Sequence, residues 1–154
     1  MAALQVSRKI DYALRAMTLL AGAGDGEALT LGRIASQIAV SPQFLAKIIE
    51  SLTHRGLLRS RRGRGGGYAL ARPAEDISFK DVIEAVEGPI MLNTCLDGHD
   101  DCALAGCCRM PSVWRTAQDR LVEVLEQATL ASAGLPFPGV GGDAVRTNGK
   151  GGTV

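Results

Sequence analysis

Residues 30–70 read TLGRIASQIAVSPQFLAKIIESLTHRGLLRSRRGRGGGYAL. Thr30 is placed to cap a short helix over about 31–38, with Ile34 and Ile38 turned inward. Ser41-Pro42 then sets a capping residue before proline at the first helical position, where a missing N–H costs nothing. The helix it opens runs to about His54. Leu45, Ile48, Ile49 and Leu52 share one face, and Gln43, Ala46, Lys47 and Glu50 lie toward the other. Gly56 suits its exit. Two short strands follow, 57–60 and 68–70, on either side of Arg61-Arg62-Gly63-Arg64-Gly65-Gly66-Gly67. Glycine admits the positive φ that a tight connection needs, and the arginines make that connection basic. Helix, short turn, helix and basic hairpin is the layout of a winged helix-turn-helix. The expected fold class is therefore mainly α, with a small two-stranded wing and a long C-terminal helix.

This layout has a physical use. An α-helix fits the major groove of DNA, and its N-terminal residues reach base edges. A hairpin beside it can lie over the neighbouring backbone, where arginines gain from counterion release. The expected contacts with a double-stranded DNA operator are Ser41, Gln43 and Lys47 on the helix, and Arg59, Arg61, Arg62 and Arg64 on the wing. Net charge is only +1, but it is unevenly spread. Residues 1–94 hold 12 Lys/Arg against 9 Asp/Glu, and residues 95–154 hold 5 against 7. Five arginines fall between Arg55 and Arg64. A solvated charged face would explain such a run if it stood alone; directly after a capped helix pair, DNA binding explains it better. The Gly-rich stretch is not a phosphate-cradling nucleotide loop, because no Gly-Lys-Ser/Thr and no strand-to-helix junction follows it.

Upstream, Ile10, Ala13, Leu14, Met17, Leu20 and Ala21 recur at helical spacing over 7–23, and Gly22, Gly24 and Gly26 end that helix. Downstream, Ser78-Phe79-Lys80-Asp81 resembles a capping box with Asp in the Glu position. It opens a helix to about Glu87, with Val82, Ile83 and Val86 inward, which Gly88-Pro89 stops. Residues 90–110 show no clean period. Pro111 starts a long helix to about Ala131, striped by Val113, Trp114, Ala117, Leu121, Val124, Leu125 and Ala128. The expected organisation is a winged-helix domain over 1–88, a cysteine-rich loop over 89–110, a dimerisation helix over 111–133 and a disordered tail over 134–154.

The chain has 154 residues, 46% of them hydrophobic and 4% aromatic, so its core must be mostly aliphatic. It has no apolar run of about 18 residues and no signal-peptide layout at its start, which points to the cytoplasm and away from membranes. Thiols stay reduced there unless they bind metal or sense redox state. Cys95, Cys102 and Cys108 are separated by six and five residues, with Cys107 beside the third. This is not the paired CxxC of a zinc finger. Three thiolates in one loop can hold an iron–sulfur cluster if a fourth ligand comes from elsewhere; zinc and a thiol/disulfide switch stay open. His99 is a further possible ligand. No nucleophile–base arrangement accompanies the cysteines, so an enzyme is not expected.

Two runs and the cysteine loop carry a family resemblance: Lys9-Ile10-Asp11-Tyr12-Ala13-Leu14-Arg15-Ala16, and Arg62-Gly63-Arg64-Gly65-Gly66-Gly67-Tyr68. Over about residues 6–131 the chain resembles the bacterial iron–sulfur winged-helix regulators of the IscR, NsrR and RirA type. The resemblance implies a homodimer in which the long C-terminal helices pack together, placing Trp114, Ala117, Leu121, Val124, Leu125 and Ala128 at the interface. It also implies a cluster on Cys95, Cys102 and Cys108. In the IscR type a histidine follows the third cysteine by three residues; Pro111 stands there and cannot ligate. In the NsrR type the fourth ligand is an aspartate of the first helix of the other subunit, and Asp11 matches it. That match leans toward a 4Fe–4S rather than a 2Fe–2S cluster and toward nitric oxide sensing in a repressor, with iron and redox sensing open.

Overall fold

The computed structural model describes residues 5–24, 26–97 and 107–133. Ser7, Thr30, Ser41 and Ser78 each stand in extended conformation, and each hydroxyl accepts from the backbone N–H three residues on. These caps set the starts of α1 (Arg8–Gly22), α2 (Leu31–Gln37), α3 (Pro42–His54) and α4 (Phe79–Glu87). Each satisfies a donor that the first helical turn leaves open, a contribution of about 1 kcal/mol. At α4 the exchange is mutual: the Ser78 N–H donates to the Asp81 carboxylate at 3.1 Å, so Asp completes the capping box. Short 3-10 turns occupy Ala74–Asp76 and Thr94–Leu96, and α5 (Met110–Gln127) follows the cysteine segment.

The apolar stripes meet in one core. Ile10, Ala13, Met17 and Leu20 of α1, Ile34 of α2, Leu45, Ile48, Ile49 and Leu52 of α3, and Val82 and Val86 of α4 are all buried. Aliphatic side chains dominate, as the low aromatic content requires. Ala39 carries the α2–α3 turn at φ 55°. The wing is an antiparallel pair, β1 (Leu58–Arg61) and β2 (Gly67–Leu70), in register Leu58↔Leu70 to Arg61↔Gly67. On its other edge β2 meets a single residue of the α1–α2 connection. The Tyr68 N–H donates to the Leu29 carbonyl at 2.8 Å, and the Leu29 N–H returns a bond to Tyr68 at 3.0 Å. This fastens the wing to the helical body and buries Leu29.

The long helix departs from the sequence expectation. It ends at Gln127 rather than near Ala131, and Ala128 is already extended. The Phe79 N–H, an open donor at the start of α4, bonds to the Ala128 carbonyl at 2.8 Å, and the Leu130 N–H bonds to Ile77 O at 3.0 Å. Leu130 becomes almost fully buried. Satisfying the α4 terminus and burying Leu130 outweigh one more helical turn. The Lys80 ammonium sits 2.9 Å from the Glu126 carboxylate, whose hydrogen bond and charge push the Lys80 pKa up. The C-terminal end of α5 is thus tied to α4. The expected tail over 134–154 lies outside the described residues.

Candidate nucleic-acid interface and cysteine site

Burial of Leu45, Ile48, Ile49 and Leu52 turns the opposite face of α3 to solvent: Gln43, Ala46, Lys47 and Glu50 are exposed. Ser41 lies at its head, where its hydroxyl accepts from the Phe44 N–H at 3.3 Å. Phe44 is 38% exposed, and sequence reasoning missed it. The available signal was an aromatic in the first turn that falls outside the core face. An open cleft of roughly 410 Å³ separates α3 from the wing, lined by Ala46, Glu50, Thr53, His54, Ser60 and Tyr68 among others.

The structure divides the wing arginines into two pairs. Arg61 donates from Nη1 to the Gly26 carbonyl at 3.2 Å. Arg59 reaches the same loop: a Cβ on Gly26 would lie 3.3 Å from its Nη2. Arg61 therefore braces the hairpin against the α1–α2 connection, and Arg59 lies beside the same loop. Arg62 and Arg64 stand exposed at the tip.

Asp11 lies on the outer side of α1. Its carboxylate pairs with Arg15 at 3.0 Å, and the two side chains are 48% and 47% exposed. The Arg15 guanidinium lies 5.9 Å from the centre of the Tyr12 ring. That ring meets Phe44 edge-on, with centroids 5.9 Å apart and planes at 77°. Asp11 is thereby linked through three side chains to the first turn of α3.

Of the expected cluster ligands, Cys102 lies outside the described residues, as does His99. Cys95 and Cys108 are half-buried, and Cys107 is exposed. Both half-buried thiols border α5. Cys108 precedes its first residue by two positions, and Cys95 sits in the 94–96 turn packed on the helix. Two side-chain acceptors help to hold that segment: the Cys95 N–H donates to Asn93 Oδ1 at 3.3 Å, and the Leu92 N–H donates to Gln118 Oε1 at 3.0 Å.

The stripe on α5 resolves into two. Trp114, Leu125 and Ala128 are half-buried, in line with Gln118 and Val122. Ala117, Leu121 and Val124 lie on the open face. Met110 and Val113, each 67% exposed, extend that open row at spacings of three and four. Met110 precedes the helix start that Pro111 suggests in the sequence.

Comparison with known proteins agrees with this geometry. The family model for Rrf2, an iron-dependent transcriptional regulator, matches residues 6–133. A Mycobacterium tuberculosis protein named as an HTH-type transcriptional regulator, Rv1287, is 38% identical over 137 residues, covering 88% of this chain and 84% of its own. CymR (YrzC), the global cysteine regulator of B. subtilis, superposes with a TM-score of 0.72 at 30% identity, over 85% of this chain and 96% of its own. T. potens IscR superposes with a TM-score of 0.68 at 32% identity, over 84% and 85%. No helix among the described residues is long and apolar enough to cross a membrane.

Proposed function

Since this chain belongs to the Rrf2 family of transcriptional regulators, we propose that it binds a double-stranded operator as a homodimer and carries an iron–sulfur cluster as its signal input. The observation behind the DNA interface is the exposed row Gln43, Ala46 and Lys47 on α3, set beside the arginine wing. Ser41, Gln43 and Lys47 enter the major groove, and the wing arginines follow the backbone, Arg62 and Arg64 from the tip and Arg59 and Arg61 from the strand beside the Gly26 loop. The open row on α5 supplies the dimer contact. Titration of the full chain with duplex DNA tests the interface. Affinity is expected to fall about 10³-fold or more between 50 and 200 mM salt, as for a dimer with several phosphate contacts. Binding that ignores salt would remove the phosphate role.

Cys95, Cys102 and Cys108 would hold the cluster, with Asp11 of the partner subunit as fourth ligand. The donor set fits: thiolates are soft ligands suited to iron, and Asp11 is open enough on α1 for a second subunit to reach. When bound, the cluster supplies iron that reacts with nitric oxide and changes redox state. The match of Asp11 favours 4Fe–4S over 2Fe–2S and nitric oxide over iron as signal, with repression as the output.

What this chain's own residues do follows from their contacts. Asp11 has one carboxylate and two uses for it. Engaged as a ligand, it leaves Arg15, whose guanidinium lies on Tyr12 and through it on Phe44 at the head of α3. Released, it returns to Arg15. The placement of α3 thus depends on where Asp11 is held, and two recognition helices in one dimer must match two half-sites at fixed spacing. In the Asp11→Ala variant, cluster absorption should bleach in air about tenfold faster or more. Thermal stability of the cluster-free protein should hardly move, because the exposed Asp11–Arg15 pair contributes less than about 1 kcal/mol. An unchanged bleaching rate would remove Asp11 from the ligand set.

The similarity to CymR, a global cysteine regulator, favours one alternative. In it the same winged helix responds through a thiol/disulfide switch or a zinc ion on the cysteines, without a cluster.

A further inference from the structure

We propose that Gln118 is the positioning residue of the cysteine site: it sets where Cys95 stands along α5 and hence its separation from Cys108. The proposal rests on reading Cys95 and Cys108 as part of the signal input, whatever the thiols bind.

The inward row of α5 is Pro111, Trp114, Gln118, Val122 and Leu125, all half-buried. Gln118 is its polar member. A glutamine in an otherwise apolar row gives up packing, and its amide loses solvation unless a partner compensates. The partner is the Leu92 N–H, 3.0 Å from Oε1. Leu92 lies three residues before Cys95, and the link continues through Asn93, whose Oδ1 accepts from the Cys95 N–H. The turn is closed by bonds from the Leu96 N–H to Asn93 O at 3.0 Å and from the Asp97 N–H to Thr94 O at 3.1 Å. Cys108 needs no such link, because it runs directly into α5. One helix therefore serves as the ruler for both thiols. Cys108 is fixed by the chain, and Cys95 by a side chain two turns further along.

The test uses the full chain, reduced and treated with a metal chelator, and measures iodoacetamide alkylation of each cysteine by peptide mass spectrometry. Gln118→Met keeps side-chain length and helix propensity but removes the acceptor. It should raise the Cys95-to-Cys108 rate ratio, two half-buried thiols beside the same helix, about fivefold, the loosening expected from one lost part-buried hydrogen bond. Gln118→Glu retains an acceptor oxygen and should leave the ratio as in the unaltered chain. Asn93→Ala, which cuts the link on the loop side and leaves α5 intact, should raise it as Gln118→Met does. A general loss of α5 structure would move both cysteines together and leave the ratio unchanged. An unchanged ratio in Gln118→Met and Asn93→Ala, or an equal rise in Gln118→Glu, would overturn the proposal. Because the assay is metal-free, finding no cluster in the protein would contradict the cluster reading alone.

Discussion

Gly67→Ala is expected to lower the unfolding free energy by about 3 kcal/mol, a large share of what a domain this size has. A Cβ at Gly67 would lie 2.3 Å from the Leu29 carbonyl oxygen, 2.5 Å from its carbon and 2.9 Å from the Thr30 nitrogen. All three are backbone atoms, so no side chain can swing away. The residue also sits at φ 147°, which L side chains rarely adopt. Relief requires β2 to leave Leu29, and that breaks both bonds of the Leu29–Tyr68 bridge, at about 1 kcal/mol each before strain is added. Leu29 is then partly released from the core, and the cap of α2 at Thr30 is disturbed. Gly63→Ala is the comparison. Its φ is 94°, but its Cβ would meet nothing within 4 Å, so it should cost only about 1 kcal/mol. Urea unfolding of the two variants measures the difference, and equal midpoints would show that the wing does not depend on close approach at Gly67.

The double variant Arg62→Ala, Arg64→Ala should weaken DNA binding roughly 100-fold near physiological salt while leaving the fold intact. Both side chains are exposed at the wing tip, whereas Arg59 and Arg61 reach back to the loop at Gly26. Each tip arginine is taken to neutralise one phosphate. A dimer would then lose four contacts, and the salt slope should fall by about 4. Because phosphates carry no sequence, the loss should be equal on operator and on unrelated duplex. A fluorescence anisotropy titration at several salt concentrations reads both quantities. An unchanged slope would mean that the wing tip does not follow the backbone.

Much of this fold is legible in local sequence because the signals are short-range. Thr30, Ser41 and Ser78 each cap the helix that follows, and the 3.6-residue rows of α1 and α3 predict which side chains are buried; sequence reasoning missed the cap at Ser7. The end of α5 is not legible in this way. Gln127 to Ala131 is a reasonable helix by propensity, and what stops it is a long-range bridge between Thr129 and Ser78. The candidate site divides along the same line. That Gln43 and Lys47 face outward follows from period alone, as does the basic wing. Which arginines brace the hairpin depends on the distant Gly26 carbonyl, and the roles of Phe44 and Gln118 depend on Tyr12 and Leu92. The apolar stripe of α5 could be read for its composition, but which of its residues pack on the same chain and which stay exposed required the packing of α4.

The winged helix as the output of a metal-borne signal is tested most directly by one measurement. It is the visible absorption spectrum of the full chain purified without oxygen, with iron, acid-labile sulfide and zinc counted on the same sample. A brown protein holding iron and sulfide in equal amounts, with its colour lost on nitric oxide, is the expected result. A colourless protein that holds zinc, or no metal, while still binding DNA would contradict the cluster and leave the cysteines to the thiol or zinc alternative.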